Sequence, residues 1–149
     1  MTGQVTALSP YICVADAASA IEFYKQAFGA TEKFRLTDPA DGRIGHAEIV
    51  IGGSVMMISD EYPDFGAVGP ETLGGSPVKF HLGVDNADAA FARAIAAGAT
   101  ELRPLTDEFH GNRQAMVLDP FGHSWTVSSP IEDVSPVEMQ QRWTKAMAG

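Results

Sequence analysis

VADAASAIEFYKQAFGAT, residues 14–31, and GVDNADAAFARAIAAGAT, residues 83–100, are two writings of one pattern. Each sets a short apolar strand before an acidic or amide residue, then an alanine-rich helix, then Gly-Ala-Thr. Asp16, and Asn86 or Asp85, suit the helix N-termini, where a short side-chain oxygen accepts otherwise unpaired backbone N–H groups. Gly29 and Gly98 stand where a helix ends in a left-handed residue. In the first helix Ile21, Tyr24 and Phe28 recur at intervals of three and four, and Ala20, Phe23 and Ala27 widen that apolar face. Phe91, Ile95 and the alanines do the same in the second. Neither helix is long enough to persist without packing on a sheet.

The spacing extends the match beyond the helices. Gly98 follows Gly29 by 69 residues (98 − 29), and Val84 follows Val14 by 70 (84 − 14). The offset of 69 also pairs Asp38 with Asp107, Gly42 with Gly111 and Gly53 with Gly122, and lays IGGSVMMIS over PFGHSWTVS. The chain therefore reads as α+β, two β-α-β-β-β modules with strands at 11–14, 34–36, 46–51 and 55–59, then 78–84, 100–103, 115–118 and 124–128. Its 149 residues suit a single domain with one sizeable core. Module one covers about 5–60 and module two about 77–130. Residues 61–76, rich in proline and glycine, are long for an unstructured connection and serve as a linker or as a lid over a pocket.

A different element follows the repeat. Ser135, Pro136 and Glu138 combine an N-cap, a proline at the first helical position and an acidic residue at the third. Met139, Trp143 and Met147 then recur every four residues, which predicts a C-terminal helix at 135–147. Its apolar stripe covers either its own domain or a second subunit.

Composition excludes several classes. The net charge of −9, with no cluster of Lys and Arg, argues against nucleic acid as a partner. No apolar run is long enough to cross a bilayer, so no membrane association is expected. The first ten residues have no basic segment leading into an apolar one, and a cytoplasmic location is expected. Cys13 is the single cysteine, which rules out an internal disulfide and any multi-cysteine metal site. Neither IGGS nor LGGS has the spacing of a dinucleotide-binding loop.

The segments YICVADAASAIEFYKQAFGA, DGRIGHAEIVIGG, VMMISDE, LGGSPVKFHLGVDNADAAF and NRQAMVLDPFGHSW together resemble the vicinal oxygen chelate superfamily, and within it the PhnB-like glyoxalase/bleomycin-resistance proteins. The resemblance implies a glyoxalase/bleomycin-resistance-like fold whose curled sheets enclose a cleft, and it raises the odds of a homodimer. It also implies where metal-dependent relatives place their ligands: on Ser9, Met57, Lys79 and Thr126. Two hydroxyls, a thioether and an ammonium are a poor set for a divalent cation. The expectation is therefore metal-free binding or sequestration of a small organic molecule, with no cofactor. The alternative is a glyoxalase- or dioxygenase-like enzyme with a divalent metal or acid–base groups on His46, Glu48 and His81.

Strand alternation puts Lys79 and His81 on one face, and the resemblance, which matches Lys79, Met57 and Thr126 to cleft positions, implies that Tyr11, Met57 and Thr126 face the cleft with them. Tyr11, Met57, Lys79, His81, Arg113 and Thr126 are the candidate ligand contacts. Tyr11 and His81 are equally suited to structural roles. Arg113 could clamp an anion through its fork or anchor a loop with His110 and Asn112. His46 and Glu48, two residues apart on one strand, could meet one ligand or simply each other. His123 is expected in a turn, Trp125 in the core, and Asp60 and Glu61 on a solvated rim.

Overall fold

The computed structural model describes all residues, Met1–Gly149. In chain order the elements are β1 (Tyr11–Val14), α1 (Ala17–Phe28), β2 (Thr31–Thr37), β3 (Ile44–Ile51), β4 (Ser54–Asp60), α2 (Pro70–Leu73), β5 (Lys79–Gly83), α3 (Ala87–Ala97), β6 (Thr100–Asp107), β7 (Asn112–Leu118), β8 (Ser124–Pro130) and α4 (Pro136–Met147). The fold is α+β, two β-α-β-β-β modules as the repeat predicts, followed by the expected C-terminal helix. No helix is long and apolar enough to cross a membrane. Two compact units form: residues 1–76 with 120–122, and residues 77–119 with 123–149.

In the first unit the strand order is β1-β4-β3-β2, with β1 parallel to β4 and the other pairs antiparallel. Alternation sends Ile12, Val14, Ala47, Ile49, Met56 and Ile58 to the face that α1 covers with Ala20, Ile21, Phe23, Tyr24 and Ala27. The Asp16 carboxylate caps α1 by accepting the Ser19 N–H at 3.1 Å, and Gly29 ends it at φ 69°. Phe121, from the 120–122 loop of this unit, meets the Phe23 ring edge-on at 6.3 Å. The second unit repeats the plan with order β5-β8-β7-β6 and Asn86 as cap. Its helix departs from expectation: α3 buries only Ala87 and Ala94, while Phe91 is half-buried and Ile95 exposed. Only small side chains are fully buried on this helix.

Other readings depart from expectation as well: β2 spans Thr31–Thr37 rather than 34–36 alone. β6 runs through Pro104 to Asp107, not to Arg103. It is an edge strand with a shifted register between Arg103 and Thr106, so the missing N–H of proline breaks no ladder. β7 begins at Asn112, which places Arg113 inside a strand rather than before it. Residues 61–76 are structured: a 3-10 turn at Pro63–Phe65, a bridge between Tyr62 and Ala67, and α2. Glu61 holds the segment by accepting the Gly69 N–H at 3.0 Å and the Thr72 hydroxyl at 2.6 Å, bonds that keep its carboxyl below the usual range. Gly69 lies against β1, where a Cβ would come within 2.8 Å of the Cys13 carbonyl.

The C-terminal helix α4 is capped by Ser135, whose hydroxyl accepts the Glu138 N–H at 3.2 Å. Arg142 fastens it, donating to Glu132, Glu138 and the Phe109 carbonyl. The predicted stripe is covered in part. Met139 is half-buried and Trp143 tilts against Phe109 with ring centres 5.9 Å apart, yet Trp143 remains 48% and Met147 64% exposed.

One ion-pair cluster carries a pH prediction. Glu32 on β2 receives two hydrogen bonds from Arg35, at 2.6 and 2.8 Å, and one from Lys25 at 3.3 Å. Chiefly through Arg35, its carboxyl falls from an ordinary 4.5 to about 2. A carboxyl depressed in the folded state stabilises above its unfolded value, and that contribution disappears as pH falls from about 4.5 to about 2. Solvent around Arg35 and Lys25 limits it to about 1 kcal/mol. Melting temperatures across this window should fall less steeply for Glu32→Gln than for the parent; equal slopes would refute the assignment.

Candidate functional site in the first unit

The face of the first sheet opposite α1 carries the site. Register places Tyr11 beside Met57, Met57 beside Glu48, and Glu48 beside Phe34, one residue from each strand. The adjoining row holds Cys13 beside Ser59, and His46 beside Leu36. His46 and Glu48 do meet: His46 Nε2 lies 3.1 Å from Glu48 Oε2. The other ring nitrogen, Nδ1, lies 2.8 Å from the Tyr11 hydroxyl, which reaches it across β4. Lys33 Nζ stands 3.6 Å from Glu48 Oε1. The His46 hydrogen bond first, and the Lys33 charge after it, hold the Glu48 carboxyl below its usual range.

Beside this chain of contacts lies a pocket of about 470 Å³, lined by Tyr11, Leu36, Thr37, Asp38, Gly45, Ser59, Tyr62, Phe65 and Ala67. Sequence reading found Tyr11 and missed Tyr62, Phe65 and Asp38. The available signal was a pair of aromatics in a proline- and glycine-rich stretch. Glu61 and the 3-10 turn set Tyr62 and Phe65 at the pocket. The Asp38 carboxylate accepts the Ala40 N–H at 2.9 Å and the Tyr62 hydroxyl at 3.0 Å, contacts that lower its pKa. Burial, and then the Asp38 contact, raise that of Tyr62.

The other predicted residues fall elsewhere. Lys79 and His81 are exposed on β5 in the second unit, with His81 paired in register to the buried Thr126 on β8. Arg113 is engaged by Asp88 at 2.6 Å and Asp107 at 2.9 Å, which raises its pKa and occupies its fork within the unit. Trp125 is 2% exposed and donates its indole N–H to Asp119 at 2.9 Å; His123 is buried against the Phe80 ring. Asp60 is no solvated rim. It is buried, accepting the Ala17 N–H at 2.7 Å and the Ile44 N–H at 2.6 Å. The repeat held the clue: Ser129, 69 residues on (129 − 60), accepts the equivalent Ala87 N–H at 3.1 Å.

A strand–helix–three-strand unit written twice, with an open polar face on the first sheet, coincides with a family-level match. The sequence profile of the Glyoxalase/Bleomycin resistance protein/Dioxygenase superfamily matches residues 4–127. The chain belongs to this superfamily, the vicinal oxygen chelate group. Protein Mb0911c of Mycobacterium bovis is 44% identical over 137 residues, 90% of each chain. The Arabidopsis thaliana product At5g48480 has a similar crystal structure, at TM-score 0.68 and 29% identity, covering 84% of this chain and 99% of that one. A PhnB protein from Bacillus cereus shares the fold at TM-score 0.66 and 17% identity, over 83% of this chain and 99% of its own.

Superfamily members carry out metal-dependent reactions or bind ligands in a cleft. The positions matched to metal ligands in this chain do not fit a divalent cation. Ser9 and Thr126 offer neutral hydroxyls, Met57 a thioether and Lys79 an ammonium. No three His, Cys, Asp or Glu side chains gather elsewhere in a way that could hold one, and His46, Glu48 and His81 form no such group.

Proposed function

We propose that this superfamily member binds a small organic molecule through the open face of its first sheet, without a resident metal. The observation that carries the reading is the pocket of about 470 Å³, a ligand-sized volume with aromatic and aliphatic walls and a few fixed polar groups. Tyr11 contributes both a ring and a hydroxyl. Met57, beside it in register, adds soft apolar surface to the same face.

Calorimetric and NMR titration with a panel of aromatic metabolites tests this reading. Saturable binding that shifts the Tyr11, Tyr62 and Phe65 resonances is expected, together with far less than one metal atom per chain in protein purified without added metal. A stoichiometric metal, or a panel that leaves those resonances unmoved, would sink it. The Tyr11–His46–Glu48 chain favours one second reading, acid–base catalysis. Chemical change of a bound panel compound, lost in His46→Ala, would move the assignment there.

The working form is proposed to be a cytoplasmic homodimer. Val137, Trp143 and Met147 leave apolar surface on α4 open to a second copy. Sedimentation equilibrium should give twice the 15.8 kDa chain mass at micromolar concentration. A constant monomer mass would refute the dimer. Truncation after Ser135 should weaken it.

A further inference from the structure

We infer that the first-unit pocket selects ligands bearing N–H or O–H donors on an apolar or aromatic body, a protonated amine above all, because three of its four lining hydroxyls commit their hydrogens to neighbouring side chains. This rests on the reading of the pocket as a small-molecule site and adds the ligand's chemistry.

The donors and acceptors around the pocket can be assigned one by one. Glu48, held ionised by His46 and Lys33, can only accept, so the hydrogen between it and His46 belongs to Nε2. In the tautomer that carries its N–H on Nε2, Nδ1 is bare and accepts. The Tyr11 hydroxyl therefore donates to Nδ1 at 2.8 Å, which leaves its oxygen as an acceptor on a residue that lines the pocket. The Tyr62 hydroxyl gives its hydrogen to Asp38 at 3.0 Å, and Ser59 gives its own to the Cys13 sulfur at 3.9 Å. Asp38, an ionised carboxylate, can only accept. Among the lining hydroxyls, Thr37 alone keeps a hydrogen free to turn.

Charge acts in the same direction. Neither Lys nor Arg lines the pocket. Arg43 lies over the Tyr62 ring at 3.9 Å, but it donates to Asp41 and to the Glu61 carbonyl. A carboxylate or phosphate ligand would face Asp38 and a ring of acceptors. An ammonium would find that carboxylate together with the aromatic rings of Tyr11 and Phe65, whose faces attract cations.

Three probes on one ring system test the inference: 2-naphthylmethylammonium, 2-naphthoate and uncharged 2-methylnaphthalene. They are titrated at one fixed pH, with Tyr11 and Tyr62 resonances as reporters. The ammonium should bind at least about tenfold more tightly than the carboxylate. Tyr11→Phe, which keeps the ring and removes the acceptor, should weaken the ammonium at least about threefold and leave methylnaphthalene unchanged. Asp38→Asn should bring ammonium and carboxylate towards parity. A carboxylate that binds as well as the ammonium, or an ammonium indifferent to both substitutions, overturns the inference. If all three probes bind equally, donor selection falls and the pocket reading survives. If none moves the reporters, both fall.

Discussion

Replacing Trp125 by alanine is expected to cost the second unit about 4 kcal/mol, as large a loss as truncating a single core side chain ordinarily brings. The indole is 2% exposed on β8, tilted against Phe80 with ring centres 4.7 Å apart and paired in register with Val117. Its removal leaves a cavity among residues held by sheet hydrogen bonds, which cannot collapse to fill it. It also takes the N–H at 2.9 Å from the buried Asp119 carboxylate, which still accepts the His123 N–H at 3.0 Å. Trp125→Phe separates the two effects: it keeps most of the volume, loses the N–H and should cost about 1–2 kcal/mol. Urea denaturation measures both. A loss below about 1 kcal/mol for the alanine variant would show that the core closes over the gap, against this expectation.

Asp60→Ala is expected to cost about 3 kcal/mol in the first unit, because two donors lose their acceptor at once. One carboxylate satisfies two backbone N–H groups on separate elements, Ala17 at the start of α1 and Ile44 at the start of β3. Alanine leaves both buried and unpaired, at about 1–3 kcal/mol for each unsatisfied donor. The second unit suggests a graded control. There Ser129 serves the equivalent Ala87 N–H alone. Asp60→Ser should therefore recover part of the stability by holding Ala17 while leaving Ile44 unserved. Urea midpoints that order as parent, serine, alanine support the tether. Indistinguishable serine and alanine variants would refute it.

The candidate site was legible in part. His46 and Glu48 sit two residues apart on one strand, and alternation alone puts them on one face; their 3.1 Å contact follows directly. Tyr11 was legible as a residue of the open face, but its partner was not. Its hydroxyl bonds to His46 35 residues away, across an intervening strand. His81 shares the chemistry of His46 but belongs to the other unit, and residue type carries no information about which unit a residue joins. Asp60 and Glu61 look alike as a strand-ending acidic pair. One is buried as a tether and the other pins the 61–76 segment, because burial depends on what packs over a residue.

The sequence by itself determined the eight strands, the three longer helices with their caps, and the twofold repeat. Those are written in short-range signals: apolar periodicity, an oxygen three residues before an N–H, a glycine after a helix, and one offset repeated along the chain. Only the tertiary structure decided that β6 passes through a proline, that Arg113 is held by Asp88 and Asp107, and that Tyr62 and Phe65 wall a pocket beside Tyr11. Each of these depends on a neighbour brought close by folding. A free strand edge tolerates Pro104, a helix 25 residues away supplies Asp88, and a 3-10 turn tied down by Glu61 places the aromatics. Hydrogen-bond partners and burial are properties of the packed chain, and local sequence sets only which groups are available to be partnered.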